Sequence, residues 1–147
     1  MLKDGLWIVV DHLRGYGDYN CRLHWLADAR GYSYTPQLGQ LELTTEVGNF
    51  FITVLDREGR PLACDVQCGG EKPPRGWLAR YYGEKTEVPS ISVSQRDRMH
   101  LFFVSILSKE PPRWEASPMG WRVKAGNLAA DFHLGERGLG EIRAGDD

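Results

Sequence analysis

The chain has 147 residues, of which 41% are hydrophobic and 26% are charged, and its formal net charge is −2. A balance this close to neutral gives no electrostatic reason to expect binding to nucleic acid or to a membrane surface. No apolar run is long enough to span a bilayer, and Met1–Gly5 lacks the pattern of a secretory signal, so the sequence leaves the cellular compartment open. The length predicts one domain over residues 1–147. The 17 glycines and 11% aromatic residues favour many short strands joined by turns.

The first two apolar segments predict strands of different kinds. Leu6–Val10 is apolar on both faces, which is typical of a central strand covered on both sides. Tyr19–Leu26 alternates instead, and the alternation places on one face Tyr19, Cys21, Leu23 and Trp25, and on the other Asn20, Arg22 and His24. The glycine-rich turn between the two segments predicts an antiparallel hairpin.

The rest of the chain continues as short strands and turns. Further strands are predicted over Leu41–Val47, Phe50–Leu55, Pro61–Gln67, Ser90–Ser94, Met99–Leu107, Trp121–Lys124, Leu128–Leu134 and Leu139–Arg143. Polar or irregular segments are predicted over Asp28–Gly39, Gln95–Arg98 and Pro111–Trp114, with a polar tail over Ala144–Asp147. About ten short strands without a convincing helix predict an all-β fold, an antiparallel β-sandwich or a jelly-roll-like fold.

Gly69–Pro89 is predicted to be a long loop with a functional or docking role. Prolines and glycines interrupt its start, and three aromatic rings stand among charged residues. A loop of this length inside a compact domain is usually functional or disordered, and the aromatic rings argue against disorder.

The cysteines and histidines indicate no metal site and no cofactor. Cys21, Cys64 and Cys68 form no zinc signature, and their odd number argues against a full disulfide framework. The favoured interpretation is therefore that they are small buried hydrophobic residues. The four histidines, His12, His24, His100 and His133, show no ligand spacing.

The histidines also differ in where the pattern places them. His24 is the best candidate to face a cleft, although an ordinary half-buried strand position is favoured for it, and His100 is interpreted as a sheet-surface residue beside a turn. We find no nucleophile motif, no phosphate-binding glycine motif and no carboxylate pair suited to glycoside hydrolysis. The sequence therefore predicts no catalytic residue.

Two segments resemble a known family. Leu6–Tyr19, followed by Leu23-His24-Trp25, resembles the pattern WxVVDxLxGxGxH…LxxHW, and Arg75–Lys85 resembles the segment GWxSxxYGEK. Together they resemble the distal part of the C-terminal β-sandwich of the heparinase II/III-like polysaccharide lyases, a family that includes alginate and oligoalginate lyases. The resemblance covers roughly residues 6 to 107. Tyr19 stands where the family often has histidine.

The resemblance implies an activity that this chain alone would lack. Family members join an α-helical toroid to a β-sandwich and cleave uronic-acid-containing polysaccharides by β-elimination, in which a base removes the proton beside the carboxylate. The family's catalytic Tyr and His and its metal ligands lie upstream of the segment matched here. The resemblance therefore implies a C-terminal domain that supports the toroid and is inactive by itself.

The same resemblance suggests saccharide contacts for the loop. Aromatic faces stack on sugar rings, and arginine pairs with uronate carboxylates. The candidate substrate-binding residues are Arg75, Trp77, Arg80, Tyr81, Tyr82 and Lys85. Two other interpretations of the loop stay open: that it plugs the end of the sandwich through Trp77, and that it docks against the toroid.

Two other functions stay open for the whole chain. The first is a stand-alone carbohydrate-binding module, which would bind an acidic polysaccharide without a partner domain. The second is a structural domain that associates through its sheet edges, for instance as a homodimer. Leu6–Val10 would favour such association if the missing part of the sandwich left it exposed as an edge strand.

Overall fold

The computed structural model describes residues 2–3, 5–97 and 100–146, and it confirms the all-β sandwich. Three antiparallel sheets stack as layers, which we call the outer, middle and C-terminal sheets. In the described residues, the middle sheet has six strands, in the order Leu2–Lys3, Leu6–Arg14, His100–Ser108, Gly48–Leu55, Gln40–Thr45 and Gly31–Thr35. The outer sheet has the strands Tyr19–Leu26, Ser90–Asp97 and Cys64–Gln67. The C-terminal sheet has the strands Arg113–Ser117, Gly120–Ala125, Leu128–Gly135 and Gly138–Asp146.

The remaining regular structure is short. Gly70–Glu71 pairs with Pro74–Arg75, and Trp77–Leu78 pairs with Thr86–Glu87. Pro36–Leu38 forms a single 3-10 turn. Nowhere in the described ranges is there a helix with the length and apolar character needed to cross a membrane.

The middle sheet is buried on both faces because its central strands are apolar at successive positions. On His100–Ser108, the side chains of Phe102, Val104 and Ile106 pack against the C-terminal sheet. Leu101 and Phe103 point the opposite way and pack against the outer sheet. A strand has a side-chain period of two, so a continuous apolar run can fill two cores at once.

The outer sheet confirms the alternation predicted for Tyr19–Leu26. Cys21, Leu23 and Trp25 pack inward beside Ile91 and Val93, whereas the intervening residues face outward and are exposed. The indole N–H of Trp25 donates a hydrogen bond to the Ser105 hydroxyl at 3.2 Å, which ties the outer sheet to the middle sheet.

The predicted hairpin between the first two strands is wrong. Leu6–Arg14 pairs along its whole length with His100–Ser108, and Tyr19–Leu26 pairs with Ser90–Asp97 in another layer. The glycine-rich connection therefore crosses between sheets. Leu6–Arg14 is longer than predicted and is second from the sheet edge, since Leu2–Lys3 covers only its first two residues.

The sequence patterns also missed strands with little apolar character. Gly31–Thr35 lies in a segment predicted to be irregular, and Arg113–Ser117 begins in another. Ser90–Asp97 continues through most of the predicted turn, and Gly138–Asp146 includes most of the predicted tail. Backbone ladders hold these edge or solvent-facing segments, so their side chains need not alternate. The parts of these predictions that concern Arg98, Met99 and Asp147 lie outside the described residues.

Burial on both faces of the middle sheet gives a stability prediction. Leu101→Ala removes apolar contacts on the outer-sheet side and Ile106→Ala removes them on the opposite side. Each substitution is expected to lower the free energy of unfolding by about 2–5 kcal/mol. Val47, which is 96% exposed, serves as the control position, because Val47→Ala should change the free energy of unfolding by less than about 0.5 kcal/mol. Urea unfolding measures all three, and a negligible effect of either core substitution would contradict the three-layer packing.

Candidate functional site

The outward face of the outer sheet contains an open polar groove. Its volume is about 510 Å3, and we call it the sheet groove; its lining residues are Arg22, Ala63, Cys64, Asp65, Gln67, Pro73, Arg75, Ser92 and Ser94. The strand register explains the composition, since Ser94 lies opposite Arg22 and Ser92 lies opposite Asp65. The inward positions of the same strands are committed to the core, so polar side chains occupy the outward positions.

Arg75 comes from the loop and lies along the sheet groove. Its Nε donates to the Gln67 side-chain oxygen at 2.7 Å, and its terminal nitrogen donates to the Asp65 carboxylate. The Arg75 side chain is only 12% exposed, whereas that of Asp65 is 76% exposed. Arg75 thus fixes the loop to the sheet and leaves the Asp65 carboxylate in contact with solvent.

Arg22 is the second cation of the sheet groove and is exposed. Its Nε donates to the Ser94 hydroxyl at 3.3 Å, a neutral partner. With Arg75 and Asp65 the groove has two guanidinium groups and one carboxylate, an excess of one positive charge. Guanidinium and hydroxyl groups on an open surface are suited to bind carboxylate or sulfate groups.

His24 faces outward next to Arg22 on the same strand, opposite Ser92. It is exposed, so the half-buried interpretation is wrong. Slight loss of hydration lowers the pKa of His24, and the positive charges of Arg22 and Arg75 lower it further. The imidazole is therefore neutral near pH 7 and gains its charge only in acid.

The cysteines differ from one another more than the sequence suggested. Cys64 is half-buried between the sheet groove and the core, and burial raises the pKa of its thiol to about 11. It is therefore protonated at neutral pH and unsuited to be a nucleophile. Cys68 is exposed, so its predicted burial is wrong, and all three cysteines are free thiols. Among the described residues, no three His, Cys, Asp or Glu side chains are arranged to hold a metal ion.

The loop Gly69–Pro89 folds back on itself around Gly76. The backbone N–H groups of Gly69 and Val88 both donate to the Gly76 carbonyl, at 3.0 and 2.9 Å. Gly76 has a φ of +79°, and a Cβ at this position would lie 2.5 Å from the Gln67 carbonyl oxygen. Only glycine avoids both the strain and the clash.

Trp77, which follows this junction, is held within the loop. Its indole N–H donates to the Gly70 carbonyl at 3.0 Å. The Lys85 ammonium nitrogen lies 3.8 Å from the centre of the Trp77 ring, a cation–π contact. Lys85 therefore occupies one face of the ring that the sequence suggested for sugar stacking.

The structure separates the six loop residues singled out from the sequence. Arg75 lies in the sheet groove, while Arg80 pairs with the Asp28 carboxylate near another surface depression. Tyr81 and Tyr82 are at the exposed tip, with exposed fractions of 74% and 106%. Trp77 and Lys85 contact each other. The six residues thus lie in four small regions instead of on one platform.

Ser92 and Ser94 are groove residues that sequence reasoning missed. The sequence pattern that could have identified them is the alternation of Ser90–Ser94, in which serines take every second position. Arg22 and His24 were recognised as sharing a face, but not as facing these serines. Pairing between strands about 70 residues apart makes the groove, and local patterns do not specify that pairing.

This chain resembles a known protein in its fold. No protein-family model matches the sequence, and no curated protein matches it. A solved structure of heparinase III, determined with methylated lysines, superposes with a TM-score of 0.63 over 97% of this chain, at 11% sequence identity. This chain has a heparinase III-like fold. It spans 22% of the length of that protein, so the comparison concerns one part of a larger molecule.

The role of Gly76 can be tested against Gly83, which has the same φ of +79° but no atom within 4 Å of the point where a Cβ would lie. Gly83→Ala introduces backbone strain alone, about 1–2 kcal/mol. Gly76→Ala adds the clash with Gln67, and is expected to lower the free energy of unfolding by about 1–3 kcal/mol more. Guanidinium unfolding followed by tryptophan fluorescence measures the difference. Equal effects would contradict the role of Gly76 as the closure point of the loop.

Proposed function

We propose that this chain is a β-sandwich domain of a polysaccharide lyase of the heparinase II/III-like kind, and that it binds an acidic saccharide while supporting the catalytic domain of the parent protein. The main support is the heparinase III-like fold, which covers 97% of the chain. The two sequence segments that resemble the family and the charge of the sheet groove agree with it. The substrate would be a polysaccharide that contains uronic acid.

The sheet groove is the proposed saccharide contact. Arg22 is exposed and bonded to a neutral hydroxyl. A uronate carboxylate can therefore bind the Arg22 guanidinium beside Ser94, which gives Arg22 a charged partner in place of a neutral one. Arg75 is already occupied by Gln67 and Asp65, and it would act by holding the groove in shape. The groove is open, as a polymeric ligand requires.

The loop tip is the proposed contact with the rest of the parent protein. Tyr81 and Tyr82 are exposed aromatic rings at the end of a loop whose base is fixed at Gly76. Buried tyrosines at interfaces provide large apolar area together with a polar end. We propose that these rings, with Arg80, face the α-helical toroid, and direct sugar stacking by them is the alternative.

The resemblance implies that the proton-abstracting groups lie upstream, so the proposal assigns no elimination step to this chain. Mixing the chain with alginate or heparan sulfate and following the ultraviolet absorbance of unsaturated uronate should give no turnover. Appreciable turnover would show that this chain itself contains the catalytic groups.

Association through a sheet edge is a second candidate function, favoured by one observation. On Leu6–Arg14, only the first two residues are paired by Leu2–Lys3, and beyond Trp7 that edge has no ladder partner among the described residues. Such an edge can pair with a second copy. A concentration-dependent dimer in size-exclusion chromatography, together with no saccharide affinity, would favour this function over the first.

Saccharide binding in the sheet groove can be tested with Arg22→Gln. Loss of one charge-assisted hydrogen bond is expected to weaken binding of an alginate oligosaccharide about tenfold. Arg143→Gln is the control, because Arg143 is an exposed arginine of the C-terminal sheet, paired with Glu141. Isothermal titration calorimetry measures both variants. Equal affinities for the two would place the saccharide elsewhere.

The pH dependence of this binding should follow His24. Because the pKa of His24 is lowered by loss of hydration and by the charges of Arg22 and Arg75, the ring is neutral at neutral pH and gains its charge only below the ordinary histidine value of about 6.5. The uronate stays ionised over this range, so affinity should rise in acid. His24→Gln should reduce that rise, whereas His133→Gln, which changes an exposed histidine of the C-terminal sheet, should preserve it. A rise that persists in full in His24→Gln would show that another group is responsible.

A further inference from the structure

Two histidines meet on the face of the middle sheet opposite the outer sheet. The Nε2 atom of His12 lies 3.3 Å from the Nδ1 atom of His100. The His12 ring stacks on Phe102, with ring centres 4.1 Å apart and planes 9° from parallel, and Phe102 is only 1% exposed. The pair therefore rests on the buried core and is not a chance surface contact.

The hydrogen bond between the rings restricts their charge. One of the two facing nitrogens must donate and the other must accept, so at least one ring is neutral. The backbone at Arg137, in the turn that precedes the last strand, lies close enough to the His12 ring to raise its pKa. His100, and not His12, lines the adjoining pocket.

Cationic groups surround this pair. Arg14 lies directly opposite His100 in the strand register. The guanidinium carbon of Arg57 lies 5.4 Å from the centre of the Phe102 ring. In the part of the chain that the structure describes, no carboxylate is within ion-pair distance of Arg14 or Arg57, and Asp18, the acid in the adjacent turn, is near Arg96.

A pocket opens at this point. Its volume is about 280 Å3, and Arg14, Gly15, Tyr16 and His100 line it. Arg14 and Tyr16 are exposed, so solutes can reach it. Burial lowers the pKa of His12, and the charges of His100, Arg14 and Arg57 lower it further, against the opposing effect of the Arg137 backbone. The described residues that line the pocket therefore include the cation Arg14 and no carboxylate.

We propose that this pocket is an anion site that binds one sulfate or carboxylate group, with Arg14 and a ring N–H of His100 as donors and with Arg57 adding charge. Its volume suits a single charged group more than a length of polysaccharide. The group can be a free inorganic anion or a substituent of a saccharide. The site lies on the other side of the middle sheet from the sheet groove, so it does not depend on the proposed function.

The test uses the histidine ring signals in NMR spectra of the full chain. Titration with sodium sulfate should shift the His12 and His100 signals saturably, and sodium chloride at the same ionic strength should not. The bound anion should also raise the pKa of His12, because it opposes the surrounding positive charge. A sulfated disaccharide that binds more tightly than inorganic sulfate would identify a saccharide as the source of the group, and equal affinities would identify a free anion.

Variants separate this site from the sheet groove. Arg14→Gln should weaken sulfate binding about tenfold, and Arg57→Gln should weaken it to a smaller extent. Arg113→Gln, at an exposed arginine of the C-terminal sheet, should leave it unchanged. An absent or unsaturable response to sulfate would overturn the proposal, as would a response that survives in both Arg14→Gln and Arg57→Gln. A response lost only in Arg22→Gln would place the anion in the sheet groove.

Discussion

The structure depends on one constraint, which is that the middle sheet is apolar on both faces. Ile106 and Phe103 lie three residues apart on one strand and are buried in different cores. Leaving either face in water would cost about 1.5–3 kcal/mol for each large apolar side chain, so two further sheets must cover the two faces. The outer and C-terminal sheets are the consequence, and each has its own outward face free for other uses.

This constraint also determines where function can be located. The inward side chains of the outer sheet are committed to packing, and the outward ones, such as Arg22 and Ser94, meet across strands to make the sheet groove. Gly76 closes the adjoining loop, and Arg75 holds it against the sheet. Rigid strands therefore supply most of the polar surface, and the loop adds one arginine to it.

The two cationic places on the protein differ in physical character. In the sheet groove, Asp65 offsets part of the charge and hydroxyl groups supply neutral donors, which suits repeated weak contacts along a polymer. The His12–His100 pocket is smaller, and no acidic residue is among the described residues that line it. Charge there is concentrated around one point. They occupy opposite sides of the middle sheet, so each can be changed without the other.

The sequence by itself determined the all-β class, the alternation of Tyr19–Leu26 and the two-sided burial of the middle strands, because these follow from a side-chain period of two within one strand. Only the tertiary structure decided which strands pair. It placed Tyr19–Leu26 in a different layer from Leu6–Arg14, and it brought His12 to His100 across 88 residues. Long-range pairing depends on the fit of whole layers, which local residue patterns do not encode.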